Sequence, residues 1–129
     1  MAVQPEDIRA LAEALLEHSH ESHHRSAASR AYYAAYHAAR ALEQHYDLLI
    51  GGGGATHQAF LGRLREYRNP AAPDTARSIN ALGYLLTQMV GVRNVADYEI
   101  GSDFSQDNAQ ENLEQANRVF QKVKGLLPE

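Results

Sequence analysis

The chain has 129 residues, 44% hydrophobic and 22% charged: enough for one domain with a single core, too few for two, and too apolar for default disorder. A formal net charge of -4 and a pI near 5.9 exclude a general electrostatic pull toward nucleic acid or an anionic membrane, so any RNA contact must be local. Cysteine is absent, which excludes disulfides, a thiolate nucleophile and cysteine-based metal sites.

The N-terminal stretch MAVQPEDIRALAEALLEH lacks the basic start and unbroken apolar core of a signal peptide. No run approaches the roughly 18 apolar residues of a membrane span, so a cytoplasmic protein without membrane contact is expected. Pro5 suits a first helical position, Glu6 and Asp7 complement the positive helix end, and Ile8, Leu11, Ala12 and Leu15 make an apolar face. This predicts a helix from Pro5 to Glu17. HSHESHHR, His18 to Arg25, breaks the periodicity and reads as a polar connection or frayed helix ends.

From Ser26 to Tyr46 there is no glycine or proline and much alanine, which predicts a second helix. Tyr32, Tyr36, Ala39 and Leu42 share one flank, and Arg30, Tyr33, His37 and Ala41 another. Two occupied faces leave one for a partner subunit or a site. Gly51 to Gly54 is a flexible break that carries no phosphate-loop signature. Thr56 is placed to cap a short third helix bearing Phe60, Leu61 and Leu64, and Pro70 and Pro73 bracket a turn after which Asp74 caps a long helix.

That helix, Asp74 to Ile100, is expected to be the one around which the others pack. Its apolar line runs Leu82, Leu86, Met89 and then Arg93, with Ile79, Ala96 and Ile100 beside it. A guanidinium in a core-facing stripe needs a carboxylate, a subunit boundary or a polar ligand. Ser105 or Asp107 opens a last helix with Leu113, Ala116, Phe120 and Val123 at helical spacing. No alternating strand pattern or repeat occurs. The fold class read from these patterns is all-α, an antiparallel up-and-down four-helix bundle with one additional short helix, in a single domain over residues 1–129.

Arg93, Asn94, Asp97 and Tyr98 gather polar chemistry at one helix end, Arg93 and Asp97 one turn apart and Asn94 and Tyr98 likewise. The bland reading is an intrahelical ion pair with Tyr98 at the surface. His20, Glu21, His23 and His24 spell H-E-x-x-H, the zinc-protease pattern, but in a polar break and without a third ligand downstream. No metal and no other cofactor is expected.

SRAYYAAYHAA (Ser29 to Ala39), Thr56-His57 at a helix start, and RNVADY (Arg93 to Tyr98) together resemble the HEPN superfamily, "higher eukaryotes and prokaryotes nucleotide-binding", in its small single-domain prokaryotic branch. The resemblance runs in order over nearly the whole chain. It implies a helical bundle that homodimerises and brings the arginine motifs to a shared cleft. It also implies RNA or nucleotide as ligand, metal-independent endoribonuclease activity of a toxin-like kind, and a small nucleotidyltransferase as antitoxin-type partner. Arg93 and Asn94 match the arginine and the polar residue after it in the family's R-x4-6-H motif, whereas Tyr98 stands at a histidine position and neither Glu99 nor Ile100 replaces it.

RNA cleavage by its own 2′-hydroxyl needs a base, an acid and a cation for the phosphorane charge. Arg93 would supply the cation, and Tyr98 a hydrogen bond or a proton. His37 or His57 is the candidate base, with Arg30, Tyr33 and His37 lining a cleft with Arg93, while His57, Asn94 and Asp97 complete the binding set. The alternative is a catalytically silent dimeric interaction module, such as the partner of a nucleotidyltransferase, in which Arg93 only closes an interface.

Overall fold

The structure, a computed structural model, describes residues 3–46, 48 and 56–128. Among these residues it is all-helical, with five helices and no strand: α1 (Pro5–Leu16), α2 (Glu21–Arg40), α3 (Thr56–Glu66), α4 (Pro73–Tyr98) and α5 (Gln106–Leu126). The glycine break at Gly51 to Gly54 lies outside the described residues, as does the Thr56 side chain expected to cap α3. No described helix is long and apolar enough to cross a membrane.

The packing centre is α2, not the long α4 expected from the periodicity. α2 lies against α1, α4 and α5, whereas α4 meets α2, α3 and α5 but not α1. Alanine explains the difference. Ala28, Ala31, Ala34, Ala35 and Ala39 are fully buried, and their single methyl groups let three helices approach the α2 backbone from different sides. Tyr32 and Tyr36, the bulky members of the same helix, are buried on the flank toward α3 and touch His57 and Phe60 there. Arg30, His37 and Ala41 stay exposed on the remaining face.

α2 also starts earlier than Ser26. Glu21 to Arg25 form its first turns, with His20 as the N-cap in extended backbone, and both His24 and Arg25 are buried. Polar letters in a row read as a solvated connection, but these two side chains meet partners at once. His24 Nε2 donates to the His18 carbonyl at 2.6 Å, and Arg25 reaches the far end of α4. Buried polar groups survive where every donor is met.

In α4 the predicted core line holds: Ile79, Leu82, Leu86 and Met89 are fully buried and Ala96 nearly so. Ile100 does not join it. The helix ends at Tyr98, and Ile100 is 77% exposed in the following turn. Nor is Asp74 the cap; Ala72 is, without a side-chain bond, while Pro73 takes the first turn and Asp74 pairs with Arg77 at the surface. The end of α3 is capped from α4, because Asn80 Nδ2 donates to the carbonyls of Leu64, Arg65 and Tyr67 at 2.9, 3.0 and 3.0 Å.

Close approach of α3 to α4 depends on Gly83. A Cβ there would stand 2.7 Å from Arg65 Cγ and 2.8 Å from the Arg65 backbone nitrogen. Gly91, on the same helix, faces open space with nothing within 4 Å. The same substitution therefore has opposite signs at the two sites. Gly83→Ala lowers stability by about 1–3 kcal/mol through forced separation of the helices. Gly91→Ala raises it by roughly 0.5–1 kcal/mol through helix propensity. Thermal unfolding of the two variants beside the parent checks both; equal shifts would show that α3 does not press on Gly83.

α1 and α5 complete the core. On α1 the buried residues are Ala12 and Leu16, so the apolar face is turned from the predicted one and Leu11 is left 49% exposed. On α5 the buried line is Ala109, Leu113, Ala116, Val119 and Val123, while Phe120, expected in it, is only partly buried and carries the Arg9 guanidinium 4.1 Å over its ring. Ser105 caps α5: its Oγ accepts from Asn108 N at 3.2 Å and its own N–H donates to Asn108 Oδ1 at 3.0 Å.

Candidate functional site

Arg93 follows Met89 by one turn and lies where the apolar stripe of α4 leaves the core, with its side chain 20% exposed. It is neither free nor sealed. Nη2 donates to Tyr33 Oη of α2 at 2.8 Å and to Tyr98 Oη at 3.4 Å, and Nη1 to Asn94 Oδ1 at 3.4 Å. Nε stands 2.8 Å from Asp97 Oδ2, off the line of its N–H, so that contact is an ion pair rather than a straight hydrogen bond. The rings of Tyr33 and Tyr98 each lie 5.3 Å from the guanidinium carbon. Burial works to lower the Arg93 pKa, but Tyr33, Asp97 and Tyr98 outweigh it and hold the value above the ordinary one.

Asp97 is oriented in turn. Ser29 Oγ, buried on α2, donates to the same Asp97 Oδ2 at 3.2 Å. The α2 residues that face this end of α4 are Glu21, Arg25, Ser29 and Tyr33, each one turn after the last. Arg25 Nη1 donates to the carbonyls of Val95, Ala96 and Glu99 at 3.1, 3.1 and 3.2 Å, and Nη2 donates to Ser102 O. Val95 and Ala96 lie in the last turn of α4, at the negative end of its dipole, and Glu99 and Ser102 in the turn that follows; Val95 O and Glu99 O also accept backbone N–H groups, from Glu99 and Ser102. Glu21 holds the Arg25 fork through Nε at 3.2 Å and accepts from Phe104 N at 3.0 Å, which lowers the Glu21 pKa. Arg25 and Ser29 thus position Arg93 and Asp97. Their signal was present as a polar residue at every fourth position from 21 to 33, hidden because 18–25 read as a polar connection or frayed helix ends.

Beside Arg93 lies a cleft of about 300 Å³ lined by Tyr32, Tyr33, His57, Gln58, Val90, Arg93 and Asn94. His57, near the start of α3, is built into it by three tyrosines of α2. Its ring stacks on Tyr36 at 3.8 Å and 11°, meets Tyr33 edge-on at 5.8 Å, and its Nδ1 is 2.9 Å from Tyr32 Oη. Burial lowers the His57 pKa first, and His37, Arg93 and Arg40 add to it, so the neutral imidazole is favoured.

The other expected members fall as follows. Arg30 is exposed with its guanidinium carbon 5.3 Å from the Tyr33 ring, and Tyr98 is 68% exposed at the helix end. His37 is exposed and meets the Tyr36 ring at 5.3 Å; it is not among the residues that line the cleft. Its pKa is lowered by partial burial and then by Arg40. Of the two histidines considered near Arg93, the fold brings His57 into the cleft with it and leaves His37 on the adjoining outer face.

H-E-x-x-H is consumed by the α1–α2 corner. His24 is bonded to His18 O, Glu21 to Arg25 and Phe104, and His23 stacks on His18 at 4.3 Å. Among the described residues no three histidine, aspartate or glutamate side chains converge on a common point where a metal ion would sit.

A family model described as HEPN domain matches residues 6–126, nearly the whole chain. No curated protein and no solved structure gives a match.

Proposed function

The chain belongs to the HEPN domain family, and from that premise we propose that it is a metal-independent endoribonuclease whose site is the Arg93 cleft. The family is generally linked to ribonuclease and nucleotide-binding functions. The observation that carries the reading is the cleft itself: a guanidinium, the Asn94 amide and an imidazole around about 300 Å³ of open space, lined by tyrosines and no carboxylate, with Asp97 paired to Arg93 Nε from outside the lining. Such a set suits an anionic phosphodiester. In the reaction the 2′-hydroxyl gives its proton to solvent as its oxygen attacks phosphorus, the bond to the 5′-oxygen breaks with that oxygen taking a proton from the Tyr98 phenol, and Arg93 offsets the charge that builds on the equatorial oxygens. Tyr98 and Tyr33 are phenols within reach of the same group. The working unit proposed is a homodimer of antiparallel four-helix bundles, α1, α2, α4 and α5, with α3 as the additional helix. Two clefts would then share one RNA, and a small nucleotidyltransferase would be the antitoxin-type partner.

A second reading is a catalytically silent interaction module, favoured by the exposure of Tyr84 at 59% and Tyr98 at 68% along α4, with Ile100 just beyond it at 77%. Incubating the purified protein with a mixed RNA pool and a chelator separates the two. The ribonuclease reading expects fragments ending in 2′,3′-cyclic phosphate, unaffected by chelation and scarcely changed in His37→Ala. Intact RNA after prolonged incubation leaves the interaction module.

A further inference from the structure

The Tyr32 phenol is 2% exposed, and among the described residues its one hydrogen-bond partner is His57 Nδ1, at 2.9 Å. Either group could be the donor. Were Tyr32 to accept from an Nδ1–H, its own O–H would be buried with no acceptor among the described residues, at a cost that structures avoid. Tyr32 therefore donates, and burial, which pushes its pKa well up, keeps that proton on the oxygen. Nδ1 is the acceptor, so the ring proton of the neutral imidazole resides on Nε2.

Ring orientation is set separately. Tyr36 covers one face of the imidazole at 3.8 Å and Tyr33 packs edge-on at 5.8 Å, which fixes the plane of the ring, and the Tyr32 bond to Nδ1 selects between the two flips within that plane. Among the described residues nothing bonds Nε2, and His57 lines the same cleft as Arg93 and Asn94. We propose that His57 is held as the Nε2–H tautomer by Tyr32 and acts, beside Arg93, as a second hydrogen-bond donor to the oxygens of one bound phosphoryl group. The inference rests on reading the cleft as a phosphoryl site.

This role differs from that of a general base. A base would need a bare Nε2, and a neutral imidazole that gave its Nε2 proton away would become an imidazolate, which is far too basic to form here. No proton is transferred: the imidazole donates a hydrogen bond throughout, as a neutral electrophile kept uncharged by its surroundings. The groups facing it act in that direction. His37 and Arg40 on α2 and Arg93 on α4 are cationic or become so, and Tyr32, Tyr33 and Tyr36 are phenols. Tyr32 is a positioning residue, acting only through the tautomer it selects.

Long-range proton–nitrogen NMR on the whole protein reads the tautomer directly, with inorganic phosphate as the probe. The expected result is a bare Nδ1 and a protonated Nε2 in the parent protein, and a shift of the His57 nitrogens on adding phosphate. Tyr32→Phe turns the pattern toward a mixture with Nδ1–H, a change that loss of packing alone would not produce. His57→Ala weakens phosphate binding about tenfold, while His57→Gln, whose amide N–H stands near the Nε2 position, keeps it within about threefold. An Nδ1–H pattern in the parent, or phosphate that leaves both His57 nitrogens unmoved, overturns the proposal. If RNA is not cleaved but the tautomer and phosphate shifts are as expected, the donor pair stands and only the ribonuclease reading falls. Cleavage with an Nδ1–H pattern does the reverse.

Discussion

Arg93→Ala lowers metal-free RNA cleavage by about 10²–10³-fold, the loss that follows removal of one preorganised donor to a developing oxyanion. The fold survives the change. The Arg93–Asp97 pair is partly solvent-exposed, at 20% and 27%, and such pairs contribute only about 0–1 kcal/mol. Asp97 retains its Ser29 bond, and Tyr33 keeps its ring contacts with Tyr32 and His57. Single-turnover cleavage and thermal unfolding measured on the same preparation keep chemistry and stability apart. Arg93→Lys falls between, because an ammonium keeps the charge but cannot span Tyr33, Asn94 and a ligand with a planar fork. Cleavage that persists unchanged in Arg93→Ala would remove the cleft from the mechanism.

Arg25→Ala lowers stability by about 3 kcal/mol, since it strips the donors from several partly or fully buried carbonyls at once. For a chain of this size that is a fall of roughly 10 °C in melting temperature. Arg25 is 8% exposed and ties Val95, Ala96, Glu99 and Ser102 to α2. Alanine takes the guanidinium from all four; Val95 O and Glu99 O keep their backbone N–H partners, and the tie that holds the segment carrying Tyr98 to α2 is lost. Arg25→Lys does not restore the melting temperature, because one compact ammonium cannot reach carbonyls that the fork bridges. Hydrogen exchange localises the effect: amides of 95–104 lose protection before those of α1. A variant as stable as the parent would mean that solvent replaces the guanidinium without penalty.

The same clamp is sensitive to acid. Glu21 has its pKa lowered chiefly by the Phe104 N–H, with Arg25 adding to it, so its contribution is complete above the ordinary carboxylate value of 4.5. That contribution is lost as the pH falls through the lowered value, where the protonated carboxyl no longer accepts as strongly.

Much of the fold was legible because helices announce themselves locally. Alanine content, proline at first turns and apolar recurrence at three and four residues placed all five helices, with four of the five starting within two residues of where they were expected. The exception is α2, which starts five residues before the expected Ser26. Its first turns carry residues whose burial no periodicity can signal, because His24 and Arg25 are polar and their partners are elsewhere. The choice of packing centre failed for a related reason: length and leucine content favour α4, but helices crowd closest where side chains are smallest, and that is α2.

By itself the sequence determined the helical class, the core line of α4 and the anomaly of Arg93 within it, since each depends on spacing along one helix. It also carried the family resemblance, in stretches that the matched domain spans. Only the tertiary structure decided which histidine shares the cleft with Arg93 and which residues hold that arginine in place. Tyr33 lies 60 positions from Arg93, Ser29 lies 68 from Asp97, and Arg25 lies 70 from the first carbonyl it caps. Contacts at such separations depend on the angle and depth at which helices cross, and these follow from the summed shape of buried alanines and tyrosines rather than from any local pattern.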